Sequence, residues 1–324
     1  MPRVLTVALA AACAAAAFAP GAAQARVVHG TTVASAAGFV GGRYDVGGGK
    51  TVSIVASDRL PDPRAEARTW AAFFKGLVHG SEIARIRVRV MPVSEMSSYC
   101  GAGADGCYDG ETQQLVIPPT SYDNARLVAA HEYGHHLANN RRNPPWQAVD
   151  WGTKRWASYE NVCARTRAGT AFPGNEDQEY GRNPGEAFAE SFAVLNGFGW
   201  EGDIYSNTFR PDARALALIR QDVLSPYSGP AVTTRTGRLS RAETSDTYAI
   251  PTPLDGLLTV TAAGRGSLDV DLSLFSNAGR RLARSATDSH TETVKYTVCG
   301  ARREKASVVR YASSGTYGLR ISRP

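Results

Sequence analysis

His131-Glu132-Tyr133-Gly134-His135 constrains the fold of this chain more than any other stretch. Two histidines four residues apart lie one turn apart on the same face of an α-helix. That face presents both imidazoles to one point, while Glu132, about 100° around the helix, reaches beside the point rather than into it. Leu127, Ala130, Gly134 and Ala138 are small or apolar, so the helix is expected to be buried on this side. Nitrogen ligands at this spacing suit zinc, which in catalytic sites takes three protein ligands and keeps one position open. A fold containing this string must therefore bring in a third ligand from elsewhere.

The candidate lies in Asn183-Pro184-Gly185-Glu186-Ala187-Phe188-Ala189-Glu190. Asn183 suits an N-cap and Pro184 the first helical position. Phe188, Phe192 and Leu195 recur as an apolar stripe. Glu186 and Glu190 sit at i,i+4 on another face, a mildly unfavourable pairing on a bare helix. A cation beside Glu186 and an imidazole against Glu190 reverse that sign. A capping box offers the other reading, with Glu186 closing on Asn183 and Glu190 serving as the ligand.

With these two motifs in hand, the region over residues 51–224 resembles the gluzincin branch of the zincin metallopeptidases. The resemblance implies zinc held by His131, His135 and Glu186, Glu190 orienting a motif histidine, and Glu132 as general base. It also implies a donor for the developing oxyanion, a place that Tyr180 fills in the sequence. The gap between the two motifs exceeds that of thermolysin-like members. The implied activity is a metalloendopeptidase acting on protein or peptide. Two alternatives stay open: a secreted non-catalytic binding protein retaining the scaffold, and a zinc amidase acting on cell-wall peptide cross-links. His136 reads as a polar neighbour, and Trp146, Trp151 and Trp156 as packing residues more than cleft walls.

The rest of the chain sets the context. Arg3, an Ala-rich apolar run over residues 4–18, Pro20-Gly21 and Ala23-Gln24-Ala25 read as a signal peptide over residues 1–25 cut near Ala25, and hence a secreted protein. No later apolar run approaches a membrane span. The formal charge of +6 comes without basic runs or basic–aromatic stripes, which excludes nucleic acid as a partner and favours anionic surfaces such as a cell envelope. Cys100 and Cys107 are expected to pair; Cys163 and Cys299 can pair only by joining two separate regions. Strands are expected at 51–57, 84–90 and 114–117, with helices at 63–78, 123–139, 156–165, 184–195 and 211–224. A Pro/Ser/Gly/Thr-rich linker follows over residues 225–241, and short strands fill residues 242–324. Asp246-Thr247-Tyr248, Asp269-Val270-Asp271-Leu272-Ser273-Leu274-Phe275 and Gly315-Thr316-Tyr317-Gly318-Leu319 make that last region resemble a bacterial pre-peptidase C-terminal domain. The expected fold is an α+β zincin-like domain (26–224) followed by an all-β, jelly-roll-like sandwich (242–324).

Overall fold

The structure, a computed structural model, describes residues 25–28, 38–300 and 302–324. The expected leader lies outside these residues except for Ala25, which opens a strand. Six strands form the first sheet: β1 (Ala25–Val28), β2 (Phe39–Gly47), β3 (Lys50–Ser57), β4 (Arg87–Val90), β5 (Gly106–Asp109) and β6 (Gln114–Ile117). Their order is β1-β5-β6-β4-β3-β2, with β3, β4 and β6 parallel, β5 antiparallel to β6 and β2 antiparallel to β3. Every residue of β6 is buried, as suits an interior strand, and Pro118-Pro119 end it because proline cannot continue the ladder.

Helix α1 (Pro63–Gly76) starts where the Asp62 side chain accepts from Ala65 N at 2.9 Å, and it puts Trp70 and Phe74 against the sheet. The strand expected from residue 84 begins only at Arg87. Residues Ser81–Ala84 are a 3₁₀ turn instead, pinned by buried Glu82, which accepts from Gly80 N, Tyr133 and Arg141. Helix α2 (Val93–Cys100) and the Cys100–Cys107 disulfide enclose a small core of Met91, Met96 and Val116.

Helix α3 (Ala125–Asn139) is buried along nearly its whole length. A two-residue ladder pairs β7 (Arg142–Asn143) with β8 (Trp146–Gln147), followed by α4 (Ala148–Trp151), α5 (Lys154–Tyr159) and α6 (Val162–Arg167). The single helix expected over 156–165 divides because Asn161 takes a φ of 55°, which no helix accommodates. Helices α7 (Pro184–Leu195) and α8 (Ala213–Leu224) complete the helical part. Trp70, Phe74, Tyr133, Leu137, Trp156, Phe188 and Phe192 share one continuous core.

Eight further strands are β9 (Ala231–Leu239), β10 (Ser245–Thr252), β11 (Gly256–Gly264), β12 (Asp269–Ser276), β13 (Arg281–Ser285), β14 (Thr291–Val298), β15 (Arg302–Ala312) and β16 (Gly315–Arg323). They make two antiparallel sheets, β10-β15-β12-β13 and β14-β11-β16-β9. Only the β12–β13 connection stays within a sheet; the others cross between them. Val270, Leu272 and Leu274 point into a second, separate core while Asp269, Asp271 and Ser273 point away.

One boundary needs correction. Residues 231–239, expected within the linker, form an edge strand along β16. Only Leu239 of that strand is buried, so it lacks the apolar alternation that betrays a strand in sequence. The two cores are joined by the Cys163–Cys299 disulfide and by Asp255 N donating to Ser158 Oγ at 2.9 Å. Among the described residues, no helix is long and apolar enough to cross a membrane.

Candidate metal centre

The candidate centre depends on the close approach of α3 to the α7 backbone at Gly134. A Cβ on Gly134 would stand 2.7 Å from Ala189 Cα and 3.0 Å from Ala189 O, so glycine is required at this crossing. His131 and His135 on α3 therefore face Glu186 and Glu190 on α7. His131 Nε2 lies 3.1 Å from Glu186 Oε2 and 3.1 Å from His135 Nε2, and His135 Nε2 lies 3.3 Å from Glu186 Oε1. All four side chains are buried. Ligand atoms of His131, His135 and Glu186 fall within 4.8 Å of one another, so this group can hold a metal ion.

The helix start decides how Glu186 is used. Asn183 Oδ1 accepts from Gly185 N at 3.0 Å, the expected cap, but Asn183 N donates to Tyr180 O at 3.0 Å. The backbone donor that a capping box needs is thus already taken, and the Glu186 carboxylate turns to the histidines. Glu190 Oε2 meets His131 Nδ1 at 3.1 Å, while its Oε1 accepts from Glu201 N at 3.1 Å. A proton on Nδ1 leaves the Nε2 lone pair for a metal.

Electrostatics favour a positive centre. Burial alone would discharge His131, but Glu186 and Glu190 overcome it and push its pKa up to about 10. Glu186 is held well below the usual carboxylate range: burial opposes this, and His135 and His131 outweigh it. Burial lowers His135, and at His131 a cation would take the place of the proton that Glu186 and Glu190 otherwise hold on the ring. The donor set therefore fits a divalent cation of the His₂Glu type.

Other expected residues are placed as follows. Glu132 is fully buried on α3, next to β5, where a Cβ on Gly106 would lie 3.4 Å from its Cγ. Tyr180 OH donates to Glu186 Oε2 at 2.8 Å; burial first, and then Glu186, keep this phenol protonated. His136 turns away, with Nε2 against Glu82 O at 3.0 Å and Nδ1 near Tyr108 OH at 3.2 Å. Trp156 is core, against Phe188 and Phe209, whereas Trp146 and Trp151 stack on each other half-buried.

Sequence reasoning missed two neighbours. The Tyr205 ring stacks on His131 with centroids 5.8 Å apart, and its OH lies 3.4 Å from Tyr180 OH. Glu176, raised to about 9 by burial and then by Glu186, accepts from Asn183 Nδ2 at 2.9 Å. Both sit in irregular segments where no periodicity marks an inward side chain.

No family model matches the chain, and no curated protein matches it. Solved structures are similar to somewhat more than a quarter of it, among them the following. The pre-peptidase C-terminal domain of collagenase from Bacillus anthracis is 16% identical, covering 27% of this chain and 85% of that one, at a TM-score of 0.25. The Yersinia pseudotuberculosis-derived mitogen is 17% identical over 29% of this chain and 87% of its own, at 0.24. PliG, a periplasmic inhibitor of g-type lysozyme from Aeromonas hydrophila, is 11% identical over 29% and 85%, at 0.22. Likeness at this level says nothing about function.

Proposed function

We propose that the chain is a secreted zinc-dependent peptidase, with His131, His135 and Glu186 as metal ligands and Glu132 as general base. The observation that carries this reading is the buried His131–His135–Glu186 group, whose ligand atoms converge from two helices locked together at Gly134. Zinc, when bound, supplies a Lewis acid that polarises a carbonyl and makes water nucleophilic near neutral pH.

The chain's own residues do the rest. Glu132 takes the proton of the attacking water at its carboxylate and returns it to the leaving nitrogen. Glu190 fixes the tautomer of His131 through Nδ1, and Tyr205 holds the ring in plane by stacking. Tyr180 is a protonated donor beside Glu186, placed to turn its O–H toward a developing oxyanion. The fold proposed for residues 26–224 is zincin-like, and the sandwich that follows is of the pre-peptidase C-terminal type. Two disulfides fit a protein that works outside the reducing cytoplasm.

The test combines metal content with a single substitution. Protein purified without chelators should carry about one zinc per chain. Glu132→Gln should keep that zinc and lose hydrolysis of a peptide library. Absence of stoichiometric metal overturns the reading. Retained turnover in Glu132→Gln removes Glu132 from its role. Zinc without any hydrolysis by the parent protein leaves a binding protein on this scaffold.

A further inference from the structure

We infer that the open end of the β-sandwich is a binding site for an acidic peptide segment carrying apolar side chains. Along β15 the inward-facing positions are Glu304, Ala306 and Val308, all buried. A carboxylate at an inward position breaks the pattern that the core obeys. Glu304 is only 1% exposed; its Oε2 accepts from Thr252 Oγ1, while its Oε1 has no hydrogen-bond partner among the described residues. Leaving a buried carboxylate oxygen unpartnered is costly, so the position asks for a donor that the described residues do not provide.

Glu304 lines a cavity of about 1170 Å³, bounded by the paired ends of β10, β15 and β12 and by Tyr296 of β14. Leu254, Leu282 and Tyr296 give it apolar walls, and the exposed Arg280 and Arg303 stand among its lining residues without an ion-pair partner among the described residues. Convergent polar groups in a roomy apolar pocket are the mark of a ligand site.

The three features select the ligand together. The inner carboxylate accepts an N–H. The leucine and tyrosine walls take apolar side chains. The arginines bind carboxylates, for which their planar forks are suited. An acyl chain brings no donor to Glu304, a cationic segment meets the arginines unfavourably, and a glycan leaves the leucines unfilled. A peptide with Asp or Glu flanking apolar residues satisfies all three. The inference goes beyond the hydrolase reading, since every group involved lies in the sandwich.

The test uses the full chain and fluorescence anisotropy of a labelled octapeptide, a Leu-Tyr pair flanked by Asp residues. A Lys-flanked counterpart and polyglucuronate serve as comparisons. Measurements with and without chelator separate failure of this cavity from failure of the metal centre. The Asp-flanked peptide should bind and the Lys-flanked one should not. Arg280→Glu combined with Arg303→Glu should weaken binding at least tenfold, and Glu304→Gln at least fivefold, while Arg64→Glu on α1 changes nothing. Should Glu304→Gln fail to fold, the exposed arginine pair decides alone. No binding, or binding indifferent to the arginine pair, overturns the inference. Polyglucuronate displacing the peptide at equal strength also overturns it, because the arginines are then a general polyanion surface.

Discussion

Gly134→Ala isolates the contact on which the proposed metal centre depends. On a solvent-exposed helix this change gains about 1 kcal/mol, because glycine is the poorer helix former. Here the new methyl meets the α7 backbone, with Ala189 Cα 2.7 Å away. Backbone atoms cannot rotate aside, so restoring an ordinary 3.4 Å contact moves the helices apart by about 0.7 Å. Overpacking of this sort costs about 1–3 kcal/mol, leaving a net loss between roughly zero and 2 kcal/mol. Stability is therefore a weak reporter. Metal binding is a sharp one, because ligand distances must hold within about 0.2 Å. The same 0.7 Å shift separates Glu186 from the two histidines, and zinc affinity should fall by at least about 10–100-fold, the range seen when only supporting groups are disturbed. A zinc competition titration paired with a thermal melt reads both quantities. A variant that melts higher than the parent and binds zinc within threefold of it refutes the reasoning, since the helices then do not lock through Gly134.

Other perturbations probe the scaffold. The buried Arg141–Glu82 pair, at 2.6 Å, holds Glu82 below its ordinary pKa: burial works against this, and Arg141 and Gly80 N–H prevail. Arg141→Met should cost about 3–5 kcal/mol by denaturant titration. Because the Glu82 pKa is lowered on folding, its contribution is whole above the unfolded value of 4.5 and is lost as pH falls, so the variant should show a shallower acid limb. Lys154 is lowered to about 8 by burial, with Nζ on Pro144 O at 2.8 Å. The unfolded chain then binds more protons between about 8 and 10.5, so stability should rise across that window, and Lys154→Met should remove the rise from pH-dependent melts. The Cys163–Cys299 bridge spans 136 residues, and replacing both cysteines with serine should lower stability by about 2–5 kcal/mol in non-reducing melts. An unchanged melt would mean that the bridge restrains little in the unfolded chain.

Elements whose side chains repeat with their own period were legible in the residues alone. The spacing of His131 and His135 placed them on one helix face, Asn183-Pro184 marked the start of α7, and the alternation through Val270, Leu272 and Leu274 identified a core strand. Such patterns record which face an element buries. They do not record what covers it. That Glu186 turns to the histidines instead of closing a capping box depended on Tyr180 O occupying Asn183 N–H, a contact made across an irregular turn. Tyr205 reaches His131 from 74 positions away, with no repeat to announce it. Strand β9 was hidden because an edge strand exposed on both faces needs no apolar alternation, and only its ladder with β16 defines it. The pairing of Cys163 with Cys299 likewise required the two cores to be set side by side. Local periodicity thus determined the elements, while the meeting of residues distant in the chain, settled by close packing, decided the centre, the sheet edges and the bridge between the cores.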